Sequence, residues 1–234
     1  MKSKISQVRI ERASDSVFQI LRESILTQVF RAGERLDIKD LTVKLGVSLT
    51  PVRDAINRLA AEGLIEIRPR SGTFVSDLSA DEVADTFDVR MALECLAAEK
   101  MISRISTQHI EVFRELIADL EKPVTTERER IFHERKNVEL HSLIVELSGN
   151  RKLIDLYRGL NAHIKIARIH YSREGWTQRI EQEKSEHRTI LDAIEKRDLA
   201  SLVQALRQHI RHASVGLVED IKKSGVRSNL TSQG

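Results

Sequence analysis

Apolar residues recur at helical spacing near the start of the chain. Val17, Ile20, Leu21, Ile25 and Leu26 form one stripe and predict a helix from Ser14 to Val29. Phe30-Arg-Ala-Gly33 breaks that pattern. Asp37 is positioned to cap a short second helix that runs to Leu45 and ends at Gly46. Ser48 or Thr50 can cap a third helix, with Pro51 tolerated in its first turn, running to about Glu62. At Gly63 the pattern changes. Leu64-Ile-Glu-Ile-Arg68 and Thr73-Phe-Val-Ser76 are β-prone runs on either side of Pro69-Arg-Ser-Gly72, which predicts a two-stranded hairpin. Three helices and a β-ribbon within residues 14–76 make a winged helix-turn-helix.

Beyond Ser76 only helical periodicity remains. Stretches at 79–103, 107–121, 126–148, 151–172, 177–196 and 198–223, joined by short breaks, predict an all-α six-helix bundle over 79–223. The expected fold class is therefore mainly α, a winged helix-turn-helix followed by that bundle. Residues 1–13 and 224–234 carry no apolar period and are expected to be a flexible N-terminus and a disordered tail. With 41% hydrophobic residues, and with the 31% that are charged interspersed in sign, the chain has the material for folded domains. The single cysteine, Cys95, excludes an internal disulfide and a Cys-rich zinc site. No run of about eighteen apolar residues occurs and no signal-peptide pattern is present, so a soluble, cytoplasmic protein is expected.

Charge changes the picture once it is located. Residues 1–76 hold thirteen Lys and Arg against nine Asp and Glu, whereas residues 77–234 hold twenty-five against twenty-six. The net surplus of +3 thus belongs to the first third, as expected of a nucleic-acid-binding head on a near-neutral body. On the third helix Val52, Ala55, Ile56, Leu59 and Ala60 face the core, leaving Thr50, Arg53, Asp54, Asn57 and Arg58 outside. Such a helix can enter the major groove, where Arg53 suits the O6 and N7 acceptors of guanine. The Thr50 hydroxyl and the first N–H groups of the helix suit a phosphate. Arg35 can reach the backbone or a base, Arg68 and Arg70 flank the wing, and Gly72 lets its main chain approach the minor groove.

The sequence Gly33-Glu-Arg-Leu36, then Leu45-Gly-Val-Ser48-Leu-Thr-Pro-Val-Arg53-Asp-Ala55, then Gly72-Thr-Phe-Val75, resembles the GntR family of bacterial regulators over Val17–Ser76. The resemblance implies that Arg35, Thr50 and Arg53 touch operator DNA and that Gly72 sits at the wing tip. Ser48, Leu49, Thr50, Pro51 and Arg53 together make up the motif that carries it. Leu49 stands where the family often has arginine, which removes one expected contact: either the operator differs from the usual pattern, or an apolar contact to a thymine methyl takes its place.

All eight histidines lie beyond residue 106. His187 aligns with Ile190, Leu191 and Ile194, His209 with Leu202, Leu206 and Ile210, and His141 lies between Leu140 and Ile144 with Asn137 one turn earlier. Inward histidines are read either as hydrogen-bonded core residues or, grouped on three helices, as a shared metal or anion site. His109, His133, His163, His170 and His212 show no such grouping and are read as surface residues, and Trp176 as a packing residue or pocket edge.

Asp88-Val-Arg90-x-x-Leu-Glu94, Asn137-x-x-x-His141, Ser148-Gly-Asn150 and Glu186-His-x-x-Ile190 resemble the FCD-type effector domain of the FadR subfamily, closer to its shorter VanR-like branch. That resemblance implies a homodimer on double-stranded operator DNA, controlled by a small carboxylate effector. It further implies a divalent cation (zinc, nickel or manganese) held by His141, His187, His209 and Asn137, the last standing where an aspartate is usual. Arg90 then falls where a guanidinium clamps the carboxylate, or pairs with Glu94 along its helix. The rival function is a metal-dependent hydrolase using the same histidines, but no HExxH arrangement supplies a general base and the inner faces otherwise read as apolar.

Overall fold

A computed structural model describes residues 13–27, 29–77, 79–171 and 176–231, and it divides into two compact units, Met1–Asp77 and Leu78–Gly234. In the first unit α1 (Ala13–Leu26), α2 (Ile38–Leu45) and α3 (Leu49–Ala61) accompany strands β1 (Arg35–Leu36), β2 (Ile65–Arg68) and β3 (Gly72–Val75). Val17, Phe18, Leu21 and Ile25 of α1 are buried with Val52, Ala55, Ile56 and Leu59 of α3, and the two helices pack together. Ile20, expected in the inward stripe, is instead exposed. Its helix also stops at Leu26, short of Val29. Asp37 caps α2 by accepting from the N–H groups of Lys39 and Asp40, and Gly46 ends it in the left-handed region.

β1 is a strand that the residue pattern did not indicate, because two residues carry no alternation. Its Arg35 lies opposite Phe74, giving an antiparallel sheet in the order β1-β3-β2. β2 and β3 form the expected hairpin, with Ile65 opposite Val75 and Arg68 opposite Gly72. Its turn is closed by Ser71 N–H donating to the Arg68 carbonyl at 3.1 Å. Arg70 occupies that turn at φ +65°, where an L side chain is strained.

The second unit is built from α4 (Ala80–Met101), α5 (Thr107–Leu120), α6 (Glu127–Leu147), α7 (Arg151–Tyr171), α8 (Trp176–Glu195) and α9 (Leu199–Thr231). The starts are set locally. Ser79, Ser106 and Thr126 each form a capping box, with Glu82, His109 and Glu129 returning the bond. Met101, Phe113, Leu120, Leu140, Ile144, Leu153, Tyr157, Ile190, Ile194, Leu202 and Leu206 belong to one core cluster shared by all six helices. α9 continues past Lys223 to Thr231, so residues 224–231 are helical where a disordered tail was expected. The flexible N-terminus expected before Ala13 and the tail after Thr231 lie outside the described residues. Among those described, no helix is long and apolar enough to cross a membrane.

The strained turn residue gives a first prediction. Arg70→Gly removes the left-handed penalty and should raise the stability of the N-terminal unit by up to about 1 kcal/mol, read by urea unfolding of the full chain.

Candidate DNA-reading surface and candidate metal centre

In the N-terminal unit, Thr50, Arg53, Asp54, Asn57 and Arg58 are exposed along the outer side of α3, as the spacing required. Ser48 is the N-cap of that helix, but its side chain makes no capping bond, so the first N–H groups face outward without it. Leu49, beside it, is 39% exposed, a large apolar side chain at the mouth of the helix. Pro51 fills the first turn, where its missing N–H costs nothing. Not every basic side chain is available. Arg58 donates to Asp15 at 2.7 Å and stacks on Phe18, and Arg68 pairs with Glu66 at 2.8 Å and stacks on Phe74. Arg35, Arg53 and Arg70 have no ion-pair partner among the described residues. The Arg35 side chain reaches the turn end of the wing, and its Nε lies 3.0 Å from where a Cβ on Gly72 would sit. Gly72 therefore leaves room for Arg35 as well as for close approach of the main chain.

In the helical unit, His141 of α6, His187 of α8 and His209 of α9 converge, with one ring nitrogen from each within 4.8 Å of the others. All three are buried. Two carboxylates orient them. Nδ1 of His141 lies 2.6 Å from Glu94 Oε2, and Nδ1 of His209 lies 2.9 Å from Glu186 Oε2. A carboxylate can only accept, so both Nδ1 atoms carry the proton and both Nε2 lone pairs face inward. These two Nε2 atoms stand 3.1 Å apart. Two lone pairs that close call for a shared proton or a cation between them. Imidazole nitrogens about 2.1 Å from one ion sit roughly 3.0–3.4 Å apart at octahedral to tetrahedral angles. The donor set therefore fits a divalent cation. Burial, and then His209 beside it, push the His187 imidazole well below its ordinary value, which keeps it a neutral ligand. Asn137 is buried one turn before His141 on the same face of α6.

Glu94 is the hub of this centre. Its other oxygen accepts from Arg90 Nε and from the Tyr157 hydroxyl, both at 2.7 Å. Burial opposes its charge, but Arg90 and His141 hold the carboxyl well below the usual carboxylate range. The pairing of Arg90 with Glu94 is thus present, and a carboxylate clamp from Arg90 has to compete with it.

Several polar residues were not anticipated. The inner faces are not otherwise apolar, since Glu94, Arg130 and Glu183 are buried there too. His133, read as a surface residue, is 1% exposed, with Nε2 3.6 Å from Glu183 Oε2. Its position four residues before Asn137 was the available signal, and Glu183 stands four before His187 in the same way. His109 is used in the α5 cap, and His212 bonds Glu186. The side chains of His163, His170 and Trp176 lie outside the described residues.

Residues 13–75 match the model of the bacterial regulatory proteins of the gntR family, and residues 85–212 match the FCD domain. The chain belongs to the GntR family, with an FCD domain as its body. Relatives within reach of this GntR protein are regulators as well. It is 29% identical to the HTH-type transcriptional regulator YdhC of Bacillus subtilis over 82% of this chain and 85% of that one. It is 27% identical to the transcriptional repressor RspR of Escherichia coli over 86% and 87%. It is 32% identical to the Nta operon transcriptional regulator of Aminobacter aminovorans over 72% and 78%. In fold it is similar to E. coli McbR/YncC, with a TM-score of 0.73 at 20% identity, covering 90% of this chain and 99% of that one. The enzyme reading finds no support in these likenesses.

The hub yields a second prediction. Glu94→Gln removes the carboxylate that pairs with the buried Arg90 guanidinium and should destabilise the FCD unit of this GntR protein by roughly 3–5 kcal/mol. Tyr157→Phe removes one bond to a charged acceptor and should cost roughly 1.5–3 kcal/mol, both measured by denaturant unfolding.

Proposed function

We propose that this chain is an effector-controlled transcriptional repressor of the VanR-like branch of the FadR subfamily, acting as a cytoplasmic homodimer on a short palindromic operator. The head reads DNA through Arg53 at base edges, Arg35 and Thr50 at the backbone or a neighbouring base, and the wing at Gly72 and Arg70 in the minor groove. The body holds a divalent ion (zinc, nickel or manganese) on His141, His187 and His209, with the Asn137 oxygen as a fourth donor. When bound, the ion supplies a Lewis acid that takes one oxygen of a small carboxylate. The observation that carries this reading is the inward convergence of Nε2 from His141 and His209 at 3.1 Å, each ring fixed by its own carboxylate. The neutral Asn137 brings no charge, so Glu94 and Glu186 balance the ion through the rings they orient.

Repression is supported by the repressor RspR among the relatives. Coupling runs through α4, which carries Arg90 and Glu94 and begins at Ala80, five residues after β3 ends at Val75. A ligand that shifts Glu94 therefore acts on the element joined to the wing, and differential binding of about 1–3 kcal/mol is enough to regulate.

Two measurements check the two halves. Arg53→Ala should weaken specific operator binding roughly 5- to 150-fold at fixed salt while leaving non-specific binding nearly unchanged, read by fluorescence anisotropy. The wild-type chain should retain a divalent ion through dialysis, and His187→Ala should lose both the ion and the response of operator binding to carboxylates. A chelated protein that responds as before would remove the metal from the mechanism.

A further inference from the structure

The exposed side of α3 carries more chemistry than Arg53 alone supplies. The buried residues of this helix are Val52, Ala55, Ile56 and Leu59. At 3.6 residues per turn, Thr50, Asp54 and Asn57 lie within about 30° of the point opposite them, and Arg53 lies about 70° to one side. All four are exposed. They stand at i, i+3, i+4 and i+7, the spacing that lets one helix face run along a groove. Arg58, the next residue, is taken up by Asp15 and the Phe18 ring. The Asn57 amide has no hydrogen-bond partner among the described residues. With Asp54 it borders a hollow of about 490 Å³ between α3 and the start of α1, so space is open beside it. Asparagine is a poor helix former, and in mid-helix without a bond to make it costs stability relative to alanine. Helix stability therefore does not account for an amide at this position.

We propose that Asn57 is a second base-reading residue of the head, selecting adenine one or two base pairs from the guanine read by Arg53. This rests on the placement of α3 in the major groove proposed above. An asparagine amide offers an N–H donor beside a carbonyl acceptor, and these match N7 and the N6 amino group of adenine in a bidentate pair. Guanine presents two acceptors at the same edge, so the amide oxygen would face an acceptor there. A short side chain touches base edges only from the outermost line of a helix, where Asn57 stands, whereas the longer Arg53 reaches them from the flank. Asp54 decides against the alternative target, the phosphate backbone. Carboxylate and phosphate are both anions that only accept, so the face presenting Asp54 turns away from phosphates and towards base amino groups. Asn57, three residues on and beside the same hollow, shares that face. The four residues from Arg53 to Asn57 advance about 6 Å along the helix, less than two base-pair steps of about 3.4 Å.

The test selects duplexes from a randomised DNA library with the full-length protein, then measures binding to the enriched sequence and its single-base variants at fixed salt. The wild type should enrich an adenine within two base pairs of a guanine whose selection is lost in Arg53→Ala. Replacing that A·T pair by G·C should weaken wild-type binding roughly 5- to 150-fold. Asn57→Ala should bring that ratio close to one while keeping the guanine preference, the slope of affinity against salt, and a thermal midpoint no lower than that of the wild type. Asn57→Arg should exchange adenine for guanine at the same position. An adenine preference that survives Asn57→Ala overturns the assignment, as does a lower midpoint in that variant. A uniform loss across all sequences with a shallower salt slope makes Asn57 a phosphate contact and overturns it too. An enriched sequence with an Arg53-dependent guanine but no adenine near it overturns this assignment alone. A guanine that persists in Arg53→Ala, or no enriched sequence at all, overturns the placement of α3 together with it.

Discussion

The enclosed carboxylate of Glu94 takes Arg90 Nε and the Tyr157 hydroxyl on one oxygen and Nδ1 of His141 on the other, so partners from α4, α7 and α6 meet at one ion. A buried charge of this kind is tolerable only while every partner stays in place. The three helices are therefore fixed in rotation and in axial register by a polar contact, while the surrounding apolar core supplies the bulk of the stability. The same contact sets the tautomer of His141 and so decides where its other nitrogen points. Under the proposed function, structure and recognition share this one residue, and neither can be adjusted alone.

How much of this was legible depended on the physical range of each signal. Helix starts came within a few residues because caps are local: Asp37, Ser79, Ser106 and Thr126 bond to N–H groups two to three residues on. The inward histidines were visible as apolar-face positions on their own helices. β1 was not, because a two-residue strand exists only through pairing with β3, 37 to 39 residues away in register. Glu94 was legible as a partner of Arg90, four residues off, but its bonds to His141 and Tyr157 span 47 and 63 residues. His133 failed for a different reason. Its helix is so polar that a periodicity of apolar residues gives no inward face, and only the spacing to Asn137 and His141 carries that information.

The two units divide the physical work differently. In the head, exposure decides function: Arg58 and Arg68 are neutralised by Asp15 and Glu66 and stack on aromatic rings, whereas Arg53 is not. Counting basic residues would have ranked all of them alike. In the body, burial decides function, and the informative residues are those that an apolar core would normally reject.

A core that encloses Arg90, Glu94, Arg130, His133, Glu183 and three further histidines is a weak one when nothing is bound within it. Whatever binds there contributes to folding by mass action, so occupancy and conformational stability become one quantity. Under the proposed function, the lifetime of such a protein against proteolysis rises and falls with the supply of its ligand. Sensing of the proposed kind would set not only the state of the regulator but how many copies of it persist.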